Sequence, residues 1–417
     1  MIRLNRSKRT LIFGSHTFSV PSYLRTSVPS LVLVLSLTIF FTSCQPESAS
    51  NAEVDQLLEN MQKTYAPDKR VARFHLDLEK QGAQWVLKGQ SDQKEAYAAL
   101  KDSLSGLRLK YIDSVQQLPE SGLGADTLAV VRLSVANLRS NKGQSEELAS
   151  QATMGTVVKV LAAAEGNWHL VQTPDGYIAW ADDGAITLMN AEELKGWQEK
   201  QKLVFSMPYG HARTEPSEKA GIVSDLVAGD IFAYIGEEGD FLKIEYPDGR
   251  QGYVSKDDAF PYDLWIELLE TDGESLVAMA KEMMGLPYLW GGTSFKGVDC
   301  SGFTKTVYFL NGLILPRDAS QQVHSGMLVD EEGDFSKLQP GDLLFFGRYR
   351  EDGSEKVTHV GMWIGNNEFI HSSGDVHISS MDPEASNYDE FNRNRYFRAK
   401  RILGNLTEDV KKVEDVY

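Results

Sequence analysis

Three side chains in this sequence have the types needed for nucleophilic catalysis: Cys300, His359 and His371. The chain has 417 residues and only 2 cysteines, and Cys300 stands in the stretch "GVDCSGF". Asp299 is a good helix N-cap, and Phe303, Val307 and Leu310 then recur at helical spacing. Cys300 is thus expected in the first turn of a helix, where free backbone N–H groups and the helix dipole favour a thiolate. A buried apolar slot, the ordinary place for a lone cysteine, fits poorly beside Asp299, Ser301 and Gly302.

A thiol nucleophile needs a base. His359 begins and His371 ends a pair of strands around the Gly-Asn-Asn turn of "HVGMWIGNNEFIHSSG". Counted outward from Gly365 or Asn366, the two histidines fall opposite or diagonal on one face, with Cβ atoms about 5 Å or roughly 7–8 Å apart. A two-residue Asn366-Asn367 turn would instead put them on opposite faces. On one face, one histidine meets the thiol while the other orients it, the logic of nucleophile, base and orienting group. Read as metal ligands, the same three residues lack a close-spaced pair, so neither metal nor cofactor is expected. The remaining histidines (16, 75, 169, 211, 324 and 377) lie outside this constellation, with His324 and His377 read as surface or packing residues.

The elements that must position these residues follow from the rest of the chain. Its length allows two to four domains, and 24% charged with 42% hydrophobic residues is ordinary for a globular protein. A net charge of −17 argues against nucleic acid as a partner. A basic start, the apolar run "LVLVLSLTIFF" and then "TSC" read as an export segment over 1–43 that is too short to span a bilayer comfortably. Residues 44–71 read as a polar linker with a short helix, and 72–125 as a small α+β unit of strands around a capped helix. An internal repeat follows: one offset superimposes Trp168 on Phe241 and Pro174-Asp175-Gly176 on Pro247-Asp248-Gly249. Its two copies define all-β units at 126–190 and 200–262. Residues 270–403 place helices before an antiparallel sheet, an α+β arrangement. The acidic tail 404–417 reads as solvated and without chemistry.

Several of these segments resemble known families. The repeat is similar to bacterial SH3-like barrels, and the small residues before Cys44 resemble the lipobox of bacterial lipoproteins. The lipobox likeness implies a lipid on Cys44 and an exported chain held on the periplasmic or outer side of a membrane. "WGGTSFKGVDCSGF", "LPRDASQQ", "LQPGDLLFF", "HVGMWIG" and "FIHSSG", in this order, resemble the NlpC-type papain-like cysteine peptidases of bacterial cell walls. That resemblance implies a papain-like C-terminal domain with Cys300 as nucleophile, His359 as general base and acid, and His371 as orienting residue.

With two barrels in front, the chain further resembles the γ-D-glutamyl-L-diamino acid endopeptidases, which cut murein stem peptides bearing a free N-terminal L-Ala. This implies Tyr288 and Trp290 along the cleft, and Asp299 and Ser301 against the substrate's amine and carboxylate. Arg317, Asp318 and Ser320 would form the opposite wall, with Glu147 and Tyr177 of the first barrel meeting the free amine. A monomer is expected. The other readings are an amidase or acyltransferase using the same Cys-His-His site, and a non-catalytic wall-binding lipoprotein.

Overall fold

The computed structural model describes residues 51–82 and 84–417. The expected export segment 1–43 and Cys44 lie outside the described residues. Among those described, no helix is long and apolar enough to cross a membrane.

The N-terminal unit begins earlier than the sequence suggests. Helix Asn51–Tyr65 carries Val54, Leu57, Leu58 and Met61 on one face, and that face packs on Leu76, Leu87, Leu100 and Leu104. Of the expected linker 44–71, the described residues from 51 onward are therefore part of the folded unit, while 44–50 lie outside the described residues. The helix's apolar residues recur at helical spacing and bury against the sheet, which is what makes a short helix stable. Strand Phe74–Gln81 alternates buried and exposed positions at its start, pairs antiparallel with Gln84–Ser91, and the latter pairs parallel with Tyr111–Gln117. Helix Lys94–Gly106 supplies the crossover between those parallel strands.

The two repeat units have one topology. In the first, seven strands run from Leu128–Val131 to Ile186–Met189, and in the second from Lys202–Phe205 to Ala259–Pro261. Numbered within its own unit, each sheet has the order 3-2-6-5-4-1-7. The equivalent Pro-Asp-Gly turns close alike, with Gly176 at φ 86° and Gly249 at φ 82°. Their surroundings differ. Asp175 of the first turn is buried and pairs with Lys305 of the C-terminal domain at 2.8 Å, whereas Asp248 of the second pairs with Arg250.

In the C-terminal domain, helices Gly273–Glu282 and Cys300–Leu310 precede a six-stranded antiparallel sheet. The sheet order is Met327–Asp330, Tyr396–Arg401, Leu343–Tyr349, Glu355–Gly365, Glu368–Ser373, Asp375–Ser380. Phe303 and Val307 of the Cys300 helix join Phe345, Val360, Met362 and Ile370 of the sheet in one core, which fixes the helix across the strands that carry the histidines.

The tail is not a solvated end. Lys411–Lys412 pairs with Leu313–Ile314, Val413 is fully buried, and the Tyr417 hydroxyl lies 2.8 Å from Thr156 Oγ1 in the first barrel. Lys411 donates to the Pro174 carbonyl of the same barrel. Acidic residues mask a pattern of Val410, Val413 and Tyr417 that buries one side of this strap.

Candidate active site

Asp299 organises the start of the Cys300 helix. One carboxylate oxygen accepts the Gly302 N–H at 2.7 Å as an N-cap, and the other accepts Gly291 N–H at 2.9 Å. Arg317 donates to both oxygens, at 3.1 and 2.6 Å, and also to Ser301 Oγ at 3.1 Å. The helix start is pressed so closely onto the preceding loop that a Cβ on Gly302 would come 1.9 Å from the Gly292 carbonyl oxygen. Glycine is required there by space alone.

Arg317 corrects its expected place. It is 1% exposed and does not line the cleft, because its guanidinium is turned under the floor to neutralise Asp299. Burial pulls its pKa down, but the charge and hydrogen bonds of Asp299 more than offset this and raise it. Asp299 touches the cleft, yet its carboxylate is already engaged by five donors: two backbone N–H groups, two guanidinium N–H groups and the Ser301 hydroxyl.

Cys300 is the first residue of its helix, and the backbone N–H groups of Val360 and Ser301 point at its sulfur. Burial, with the Asp299 carboxylate second, nevertheless pushes the thiol up to about 12. The helix N-terminus alone, as read from sequence, predicts the opposite direction. Desolvation of a buried sulfur at the cleft floor outweighs it here.

The hairpin carrying the histidines combines both turn readings. Asn366 and Asn367 have φ of 54° and 59°, and Gly365 pairs with Glu368, so the turn is the two-residue one. A bulge between Trp363 and Gly365 then shifts the register by one, giving Trp363↔Phe369 and Met362↔Ile370. That extra residue returns His359 and His371 to one face as a diagonal pair. His359 Nε2 lies 2.8 Å from His371 Nδ1, and His371 Nε2 lies 3.1 Å from Ser379 Oγ, with Asp389 Oδ2 at 3.9 Å. Burial lowers both histidines, His359 well below the ordinary 6.5 and His371 to about 3. His377 stands directly opposite His371, with ring centroids 4.5 Å apart, and bonds Asp375 at 2.9 Å. It belongs to the cluster from which the sequence reading left it out, because the pairing of the third strand is not visible before the register is known.

A cleft of about 430 Å³ opens over Cys300. Tyr288, Trp290, Asp299 and Ser301 line it, Asp318 and Ser320 form part of the wall, and Glu147 and Tyr177 reach in from the first barrel. Trp290 is 62% exposed and donates its indole N–H to Glu147 Oε1 at 2.7 Å, so a contact between the two domains shapes the rim. Arg70 also lines the cleft and escapes the sequence reading altogether. It sits in a stretch without periodicity or motif, and only the packing of the N-terminal unit brings it there. Among the described residues, no group of three or more His, Cys, Asp and Glu side chains is placed to hold a metal ion.

A buried thiol at the start of a helix, packed across the strands that carry a hydrogen-bonded imidazole pair, defines a class of site, and comparison with known proteins agrees with it. Residues 285–395 match the NlpC/P60 family, 211–258 match the bacterial SH3 domain, and 138–186 match the bacterial dipeptidyl-peptidase SH3 domain. A γ-D-glutamyl-L-lysine dipeptidyl-peptidase of Bacillus cereus is 32% identical over 55% of this chain and 68% of its own length. Its namesake in Bacillus subtilis is 30% identical over 51% and 69%. A dipeptidyl-peptidase 6 of Lysinibacillus sphaericus is 27% identical over 61% and 92%.

Among solved structures, an NlpC/P60 family protein of Bacillus cereus superposes with a TM-score of 0.55 and 25% identity, over 66% of this chain and 99% of its own. The chain belongs to the NlpC/P60 family. It is a cysteine peptidase carrying two bacterial SH3 domains ahead of its catalytic domain.

Proposed function

We propose that the protein hydrolyses the γ-D-glutamyl–diamino acid bond of murein stem peptides that begin with a free L-Ala, in turnover or recycling of the cell wall. The observation that carries this reading is the shared cleft, in which the first barrel's Glu147 and Tyr177 close the space over Cys300. A groove walled in this way suits a short peptide end better than a continuous strand. Glu147 spends Oε1 on Trp290, which leaves Oε2 for an ammonium group. The names of the Bacillus relatives support the same bond.

The chemistry follows from the neutral resting pair. With both imidazoles protonated at Nε2, the 2.8 Å and 3.1 Å contacts become hydrogen bonds from His359 to His371 Nδ1 and from His371 to Ser379, and the His359 Nδ1 lone pair is left for the thiol proton. As that proton moves to Nδ1, Cys300 Sγ bonds the γ-carbonyl carbon of D-Glu, with the Cys300 backbone N–H steadying the oxyanion. The C–N bond breaks as His359 returns the proton to the leaving amine. Water, losing a proton to His359, then splits the thioester and releases L-Ala-γ-D-Glu, and the thiol is reprotonated. We propose further that the chain is exported and held at a membrane face through a lipid on Cys44.

The test is incubation of the chain from residue 51 onward with L-Ala-γ-D-Glu-diaminopimelate and its N-acetylated twin, followed by mass spectrometry. Release of the dipeptide from the free peptide, abolished in Cys300→Ala, is the expected result. Equal cleavage of both peptides would keep the peptidase and remove the requirement for a free amine. Cleavage of neither would overturn the reading.

A further inference from the structure

The N-terminal unit touches the cleft at one place. Arg70 Nη1 donates to Asp318 Oδ2 at 2.8 Å and to Ser320 Oγ at 2.9 Å, both on the cleft wall. Its Nε and Nη2 donate to Asp68 at 2.8 and 2.7 Å, and Asp68 in turn accepts from Gln321 Nε2 at 2.7 Å. The backbone here is fastened to the first barrel as well. Ile178 N–H donates to the Arg70 carbonyl at 2.7 Å, and Gln172 Nε2 donates to the Val71 carbonyl at 3.2 Å. The segment 68–71 thus crosses the seam between barrel and catalytic domain, and its guanidinium lies among Asp318, Ser320 and Tyr177 at the barrel's end of the cleft.

We infer that Arg70 is a specificity-determining residue and that the N-terminal unit completes the active site: its guanidinium closes the barrel end of the cleft and holds the Asp318 carboxylate toward a substrate ammonium group. This rests on the proposed function, since it names what enforces the short, free amino end. The charge arrangement fits such an end. Glu147 and Asp318 supply two carboxylates around the space where an ammonium would sit, and Arg70 keeps the second from turning away. A peptide continuing past its first residue would have to displace a guanidinium held by four hydrogen bonds to Asp68, Asp318 and Ser320. Bidentate anchoring of that kind is a property of arginine that lysine does not reproduce.

The experiment uses the full chain as wild type, Arg70→Ala and Arg70→Lys, with the free and N-acetylated tripeptides as probes, reading KM and kcat separately together with the thermal midpoint. For Arg70→Ala, KM for the free peptide should rise about tenfold, more than kcat falls, and the preference for free over acetylated peptide should shrink about tenfold. Arg70→Lys should rescue the thermal midpoint but not the preference. Asp68→Asn, which loosens Arg70 from its own segment and changes the partner of the Gln321 amide while leaving every lining residue in place, provides the second variant if Arg70→Ala fails to fold, and should lower the preference in the same direction. An unchanged KM and preference in folded Arg70→Ala or Asp68→Asn would overturn the inference while leaving the peptidase reading intact. Wild-type chain that cleaves neither peptide would overturn both.

Discussion

His359 and His371 are held neutral by burial, and His377, Arg395, Asp375 and Asp389 set the field around His371. Their pKa values in the folded chain lie below the ordinary 6.5, reaching about 3 for His371. Between those limits the unfolded chain binds protons that the folded chain refuses. Stability contributed by the pair is therefore complete above pH 6.5 and is lost as pH falls, by up to about 1.4 kcal/mol per pH unit for each histidine. In His371→Asn one of these groups is gone, so the loss of unfolding free energy between pH 6.5 and 5 should shrink by about 2 kcal/mol. Urea unfolding of both chains at the two pH values measures this, and parallel pH dependences would show that His371 is not held neutral by the fold. Cys300, His359 and His371 were legible in the sequence as candidates because residue type, cap and turn are local features. The use of Arg317 was not, since its partner Asp299 is reached only once the chain has folded back.

At the scale of elements, the hairpin register decides whether there is a pair at all. The two-residue Asn366-Asn367 turn alone would set the histidines on opposite faces, and the bulge after Trp363 reverses that. Gly361 is where the consequence can be tested. A Cβ there would stand 2.8 Å from Phe369 Cδ2 and 3.2 Å from His371 Cβ. Gly361→Ala should cost about 1–3 kcal/mol by overpacking and should displace the His371 ring. We expect a lower thermal midpoint together with a fall of about tenfold in kcat, since small displacements of a reacting group are costly. A variant that loses stability but retains kcat would separate packing from catalysis and sink this account of the hairpin.

At the scale of the whole molecule, three domains contribute to one cleft and the tail ties two of them together. Asp175–Lys305, Glu147–Trp290 and Tyr417–Thr156 all cross between the first barrel and the C-terminal domain. The second barrel supplies none of the cleft's lining residues, although its fold repeats the first strand for strand. The proposed anchor also belongs to this scale. In a bacterial host, labelled palmitate should be incorporated into the wild-type chain and not into Cys44→Ala, which should move to the soluble fraction. Label retained in Cys44→Ala would remove the anchor from the proposal.

Periodicity and short-range chemistry account for what the sequence by itself determined: the Cys300 helix with its Asp299 cap, the repeated β units, the helices-then-sheet order of the last domain, and the choice of Cys300, His359 and His371 as candidates. These depend on residues within a few positions of one another, where spacing carries the information. The tertiary structure decided the rest. It placed Arg70 in the cleft, sent Arg317 beneath it, restored the histidines to one face through a bulge, folded Asn51–Tyr65 into the first core and turned the acidic tail into a strap. Each of those outcomes depends on partners tens to hundreds of residues away. The balance at Cys300 is of the same kind, because a helix N-terminus can be read from sequence while the burial that outweighs it exists only in the packed molecule.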